Sequence, residues 1–211
     1  AAEEKATMAQ LRCRDLRPGD IMVQLNTGTA THNLISFGQA MTGMQASDAI
    51  HAGVMFDSTY VVESNKHGVV ASDLRVGNLP YKYFVFRCVN PSVAAGAGTC
   101  AKMMFDIHAT HSSASYSYLG ALCSIFAGTG KPVTPTQMDE LLDRILAGKD
   151  HPFFCSQFVV YVYQFVAEQC GLPGASLFNM ADAKVAPSRL YTHLKGHAMF
   201  REAGYLLPKE R

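Results

Sequence analysis

Charge of one sign is what this chain has least of. Across 211 residues, 18 lysines and arginines stand against 17 aspartates and glutamates, a formal net charge of +1. That leaves no basic field for a nucleic-acid partner and no acidic tail. No run approaches the roughly 18 apolar residues that a membrane-spanning helix needs. The six cysteines lack the short paired spacings of a zinc site, and in a chain this long they do not make a disulfide scaffold. Gly96-Ala97-Gly98 lacks the lysine and threonine that turn a glycine-rich loop into a phosphate cradle. No cofactor and no metal centre are therefore expected. Ala1 to Gln10 carries neither a basic leader nor an apolar segment. A role outside the cytoplasm is then expected to require a trimmed leader or another delivery route.

What is present is one greasy segment. In His151-Pro-Phe-Phe-Cys155-Ser-Gln-Phe158, continuing to Cys170, the residues Val159, Val160, Val162, Phe165, Val166 and Ala167 fall on every side of a helical wheel. Such a helix must lie inside the fold. Pro152 and the aromatic pair before Cys155 mark its start. Cys155 is thereby expected in or just before the first turn, where free N–H groups and the helix dipole favour a thiolate. Free cysteines more often serve as small buried hydrophobes. Cys13, Cys88, Cys100, Cys123 and Cys170 are read in that way. Ser156 and Gln157 set Cys155 apart by giving the apolar helix a polar head.

The remaining chain predicts an α+β fold in a single domain over 1–211. Residues 1–15 form an N-terminal extension, with 1–12 helical or frayed. Leu16-Arg-Pro-Gly-Asp20 is a turn, and Ile21–Leu25 a first strand. A polar loop at Thr27–Thr31 leads to a helix over His32–Thr42. Ala49–Phe56 and Thr59–Glu63 read as a hairpin joined at Asp57-Ser58. Val69–Leu74 and Tyr81–Cys88 complete an antiparallel sheet of about five strands packed on the cysteine helix. Asn90–Thr99, rich in proline, glycine and alanine, reads as a loop. Helices are expected at about 100–110, 116–127 and 135–148, a helical insertion of about 95–150 ahead of the cysteine helix. A short helix from Pro187 and a last edge strand at Phe200–Leu207 end the fold.

A cysteine nucleophile needs a nearby imidazole to take its proton and a third polar group to orient that ring. His51 is the candidate. Strand alternation sets Ala52, Val54 and Phe56 on the core face, and His51, Gly53 and Met55 on the other. Gly53 leaves room beside the ring for a substrate or a helix end. A hairpin register that sums to 114 (51 + 63) sets Glu63 opposite His51. A one-residue slip offers Ser64 or Asn65 instead. Set against this is a plain half-buried histidine. Among the rivals, His151 is separated from Cys155 by the helix-breaking Pro152. His108 and His111 share a helical face without a third ligand. His32, His67, His193 and His197 sit in polar or turn contexts and read as surface.

The ordered set of these segments resembles a known family. Leu16-Arg-Pro-Gly-Asp20-Ile21, Ile50-His51-Ala-Gly-Val54, Val62-Glu63, Gly68-Val69, Tyr116-Ser-Tyr-Leu-Gly120, Phe154-Cys155-Ser-Gln-Phe-Val159 and Ala186-Pro-Ser-Arg-Leu190 carry the likeness. It is to the circularly permuted NlpC-type papain-like amidases, the YaeF/YiiX-like enzymes, relatives of the lecithin–retinol acyltransferase-like proteins. The likeness spans about residues 16 to 205. The histidine precedes the cysteine, inverting the order of ordinary papain-like enzymes. The resemblance implies a permuted papain-like fold and a cysteine hydrolase with Cys155, His51 and Glu63 as its catalytic set. It further implies a peptidoglycan amide substrate and action in the bacterial periplasm or as a secreted antibacterial effector with an immunity protein as partner. A second reading keeps the thiol chemistry on lipid or protein, as an acyltransferase, phospholipase or deamidase. A third is a binding module with an idle thiol.

Overall fold

A computed structural model describes residues 8–25, 49–65, 68–76, 82–110, 155–179 and 185–207. The fold is α+β, a seven-stranded mixed sheet with three α-helices among the described residues. The strands are β1 (Gln10–Leu11), β2 (Ile21–Leu25), β3 (Ala49–Met55), β4 (Tyr60–Asn65), β5 (Gly68–Asp73), β6 (Lys82–Cys88) and β7 (Phe200–Leu206). Their order across the sheet is β1-β7-β6-β2-β3-β4-β5. The helices are α1 (Pro91–Thr110), α2 (Cys155–Gln169) and α3 (Pro187–Gly196). The helices expected at 32–42, 116–127 and 135–148 lie outside the described residues, as does the loop at Thr27–Thr31.

Side-chain alternation divides the sheet cleanly. Ile21, Val23, Ala52, Val54, Val62, Phe84 and Phe86 face the main core, shared with all three helices. Met22, Met55, Val61, Tyr83 and Val85 face a smaller core closed by Cys13, Leu16, Leu74 and Leu206. Helix α2 is buried around most of its girth, with Phe158, Val159, Val160, Val162, Tyr163 and Val166 all at 1% exposure or less. Two of its polar side chains are matched from outside the helix: Tyr163 donates to the Gly19 carbonyl and Gln164 donates to that of Phe178.

Pro18-Gly19-Asp20 is the joint between this helix and the sheet. Gly19 has φ +80°, and its N–H donates to the Met55 carbonyl. Buried Asp20 takes both arms of Arg87, at 2.7 and 2.6 Å, together with the Arg17 N–H at 2.8 Å. A bidentate pair of this kind fixes orientation as well as charge.

Several expectations need correction. The sheet has seven strands rather than about five, because the two chain ends add to it. Gln10–Leu11, expected to be helical or frayed, runs parallel to β7. The reason is local: at Gly204, φ is +147° and a Cβ would meet the Ala9 carbonyl at 2.2 Å, so only glycine admits this approach. β1 covers the last strand at Tyr205 and Leu206 alone, so β7 is not the outermost strand of the sheet.

Asn90–Thr99 is not a loop but the first half of α1. Asn90 caps it by accepting from the Ser92 and Val93 N–H groups, and Pro91 begins the helix. The small residues serve close packing. A Cβ on Gly98 would sit 2.9 Å from the Gly19 nitrogen and 3.0 Å from the Met55 oxygen.

The β3–β4 register is also shifted. Gly53 pairs with Glu63 and Met55 with Val61, so partners sum to 116 rather than 114. The Asp57 carboxylate accepts from the N–H groups of both Thr59 and Tyr60, which delays the start of β4 by one residue.

Replacing Gly19 by alanine tests the joint. The new Cβ would meet the Ala94 carbonyl oxygen at 1.9 Å on a left-handed backbone. Gly19→Ala is expected to lose roughly 2–3 kcal/mol of stability in chemical denaturation. An unchanged denaturation midpoint would show that the turn does not hold the helix.

Candidate active site

The antiparallel pairings bring one set of strand ends together: the finish of β2 at Leu25, the start of β3 at Ala49 and the finish of β4 at Asn65. His51 lies there, with Gln24 as its Cα partner on β2. A β-bulge between Gln24 and Leu25 interrupts the ladder beside it. Bulges of this kind commonly re-aim a neighbouring side chain. Ile50, the extra residue, is left 46% exposed while the His51 side chain is 22% exposed.

Glu63 meets His51 although the register does not set them opposite. The two-residue shift keeps Glu63 on the same face and makes it a diagonal neighbour, within reach of a long side chain. His51 Nε2 and Glu63 Oε2 are 2.9 Å apart. Gly53 makes the crossing possible, since a Cβ there would come to 2.6 Å from Val61 and 3.2 Å from Glu63 Cβ. The room expected beside the ring for a substrate or a helix end is thus occupied by side chains of β4. Ser72, on β5, donates to the other oxygen of Glu63 at 3.1 Å and completes a relay across three strands.

Cys155 is the first residue of α2 and is buried. Its side chain hydrogen-bonds to His51. Two forces act on the charge of the ring. Burial disfavours it, but the hydrogen bonds and electrostatic attraction to Cys155 and Glu63 outweigh burial. The His51 pKa is pushed up from its ordinary 6.5 to about 10. Burial pushes Cys100 up to about 12 and raises Cys88 and Cys170. Cys13, Cys88, Cys100, Cys155 and Cys170 are all free.

Cys155, His51 and Glu63 are therefore brought together. Of the residues weighed for the third position, Glu63 is bonded to the ring at Nε2. Ser156, read as part of a polar head, is fully buried and donates to the Val185 carbonyl, tying the start of α2 to the segment before α3. His193 and His197 are half-buried rather than surface groups. His193 Nε2 bonds the Leu177 carbonyl at 2.6 Å, and its ring stacks between Phe178 and His197. Burial lowers its pKa. His108 packs over Gly68, where a Cβ would meet its ring at 2.2 Å. His32, His67, His111, His151 and Cys123 lie outside the described residues. Among the described residues no group of three potential ligands could hold a metal, and no helix is long and apolar enough to cross a membrane.

Sequence reasoning missed Ser72 and Gln24. Ser72 became legible only with the β4–β5 register, in which Glu63 pairs with Val70 and Val61 with Ser72. Gln24 needed the β2–β3 register, in which it pairs with His51. Comparison with models of protein families, with curated proteins and with solved structures finds no match to this chain.

The raised histidine gives a test with a definite sign. A group whose folded pKa lies above its unfolded value stabilises the fold fully below the unfolded value and loses that contribution as pH rises through the folded one. Between pH 6.5 and about 10, then, stability attributable to His51 declines. In NMR titration the ring should change protonation near 10, and Glu63→Gln should move that midpoint downward. A wild-type midpoint near 6.5, or one unmoved by Glu63→Gln, would contradict the network.

Proposed function

We propose that this protein is a cysteine hydrolase acting by nucleophilic acyl transfer, built as a permuted papain-like domain. The observation that carries the reading is the hydrogen-bonded chain Cys155–His51–Glu63, a thiol at the start of a buried helix joined through an imidazole to a carboxylate. That is the arrangement an activated nucleophile requires. Free thiols more often sit idle in cores, but they are not then bonded to a histidine that a carboxylate orients.

The steps follow from the atoms. With Nε2 engaged by Glu63, Nδ1 is the ring nitrogen left for the sulfur. Once the proton shared with the sulfur lies on the ring, the sulfur attacks an amide or ester carbonyl as thiolate. A C–S bond forms, and the carbonyl oxygen takes the negative charge. The N–H of Cys155, among those at a helix start that have no intrahelical acceptor, can donate to that oxygen. As the C–N or C–O bond breaks, His51 gives its proton to the leaving group. The ring next takes a proton from water, whose oxygen attacks the thioester. The acid departs and the thiolate–imidazolium pair is restored. Glu63 holds the ring in position throughout, and Ser72 holds Glu63.

For the substrate class we propose amide bonds of peptidoglycan stem peptides, on the resemblance carried by the ordered segments from Leu16 to Leu190. The protein would act in the periplasm, delivered as an antibacterial effector and neutralised by an immunity protein. Such an enzyme should lyse cells when directed to the periplasm and be tolerated in the cytoplasm.

Cys155→Ala and His51→Ala should each abolish turnover of purified sacculi while leaving the circular dichroism spectrum unchanged. Glu63→Gln should lower kcat by roughly ten- to a hundredfold, since it positions the base rather than reacting. Full activity in a folded Cys155→Ala variant would overturn the assignment. Release of products from phospholipid vesicles but not from sacculi would move the substrate class to lipid.

A further inference from the structure

The catalytic set occupies one end of the strands; the other end holds a cleft the mechanism does not use. There β2 begins, β6 finishes and β7 begins. The cleft has a volume of about 480 Å³ and is lined by Arg17, Arg87 and Arg201 and by apolar Pro18, Val89 and Pro91. That volume is in the range of sites for small ligands.

Its charges do not balance. Arg87 and Arg201 are Cα partners on adjacent strands, and like charges directly opposite destabilise a sheet. Asp20, the one carboxylate in the lining, is committed to Arg87 through both oxygens. Arg17 and Arg201 are exposed and form no ion pair among the described residues. Two guanidinium groups are left over at one concave site, in a chain whose net charge is only +1. Solubility does not explain such a concentration. An anionic occupant does, because guanidinium groups match the oxygen geometry of phosphate and carboxylate.

We infer that this cleft binds a phosphate monoester carrying a small apolar substituent. A dianion satisfies both uncommitted arginines, whereas a single carboxylate would leave one uncompensated. Proline and valine in the wall suit an apolar group attached to the phosphate. The confined volume and a net charge of only +1 point away from a nucleic-acid backbone. Arg87 fixes the floor of the site through Asp20, and Arg17 and Arg201 supply the reach.

Phenyl phosphate is a suitable probe, with benzoate as its singly charged counterpart, titrated calorimetrically into wild type and Arg17→Gln/Arg201→Gln. Both positions are exposed and one relieves an opposed like charge, so the variant is expected to melt no lower than wild type and to keep the wild-type rate of Cys155 alkylation by iodoacetamide. Saturable binding of phenyl phosphate, tighter than benzoate and weakened by roughly tenfold or more in the double variant, is the expected result. Absence of saturable binding in wild type, or equal binding by the variant, would overturn it. Vesicles containing phosphatidic acid distinguish the sources of the phosphate. Co-sedimentation that the double variant loses assigns it to a lipid headgroup. Binding of phenyl phosphate without co-sedimentation assigns it to a soluble ester.

Discussion

A helix with almost no polar face can exist in water only if the fold covers it on nearly every side. Helix α2 is such a helix, and the fold depends on its burial. The sheet face bearing Val23, Val54, Val62 and Phe84 covers one side, and α1 and α3 contribute to the same core. Apolar packing does not by itself say how far a helix slides along a sheet. Tyr163 supplies that information through its bond to the Gly19 carbonyl, in a turn whose N–H is bonded to the end of β3. Helix position and strand position are thereby set against each other at one end of the sheet. At the other end, Cys155 and His51 meet.

The candidate site is thus a product of long-range geometry rather than of a local motif. Its three members come from β3, β4 and α2, more than ninety positions separating His51 from Cys155 in the numbering. Each is placed by something unremarkable in itself: a bulge beside His51, a glycine that lets Glu63 lean across, and a buried serine that ties down the start of the helix. The histidine's raised pKa is the electrostatic record of that convergence, since burial alone would have pushed it the other way.

Much of this was legible in the sequence because the relevant signals are short in range. β-rich runs identified β2, β3 and β6 as strands, and alternation set the faces of β3. The uninterrupted apolar wheel after Cys155 identified a buried helix, and it placed the thiol at its head. Glu63 was found through a register that proved wrong by two residues. The partner was still right, because an even shift preserves the face and a glutamate is long enough to reach diagonally. What escaped depended on partners distant in sequence. Gly98 looked like a loop residue because nothing local reveals that a side chain at this helix position would come within about 3 Å of a turn some eighty residues earlier. The two-residue strand β1 has no periodicity to detect and exists because Gly204 admits it. Ser72 joins the relay only once β5 has been paired.

The central claim is that Cys155 becomes an acyl acceptor because His51 stands beside it, and covalent capture tests this without knowledge of the natural substrate. Brief exposure to p-nitrophenyl acetate, followed by peptide mapping by mass spectrometry, locates the acetyl group. The account predicts acetylation concentrated on Cys155 in the wild-type protein and lost from it in His51→Ala. Acetyl groups spread across the cysteines at the pace of ordinary free thiols, unaffected by removal of His51, would contradict it.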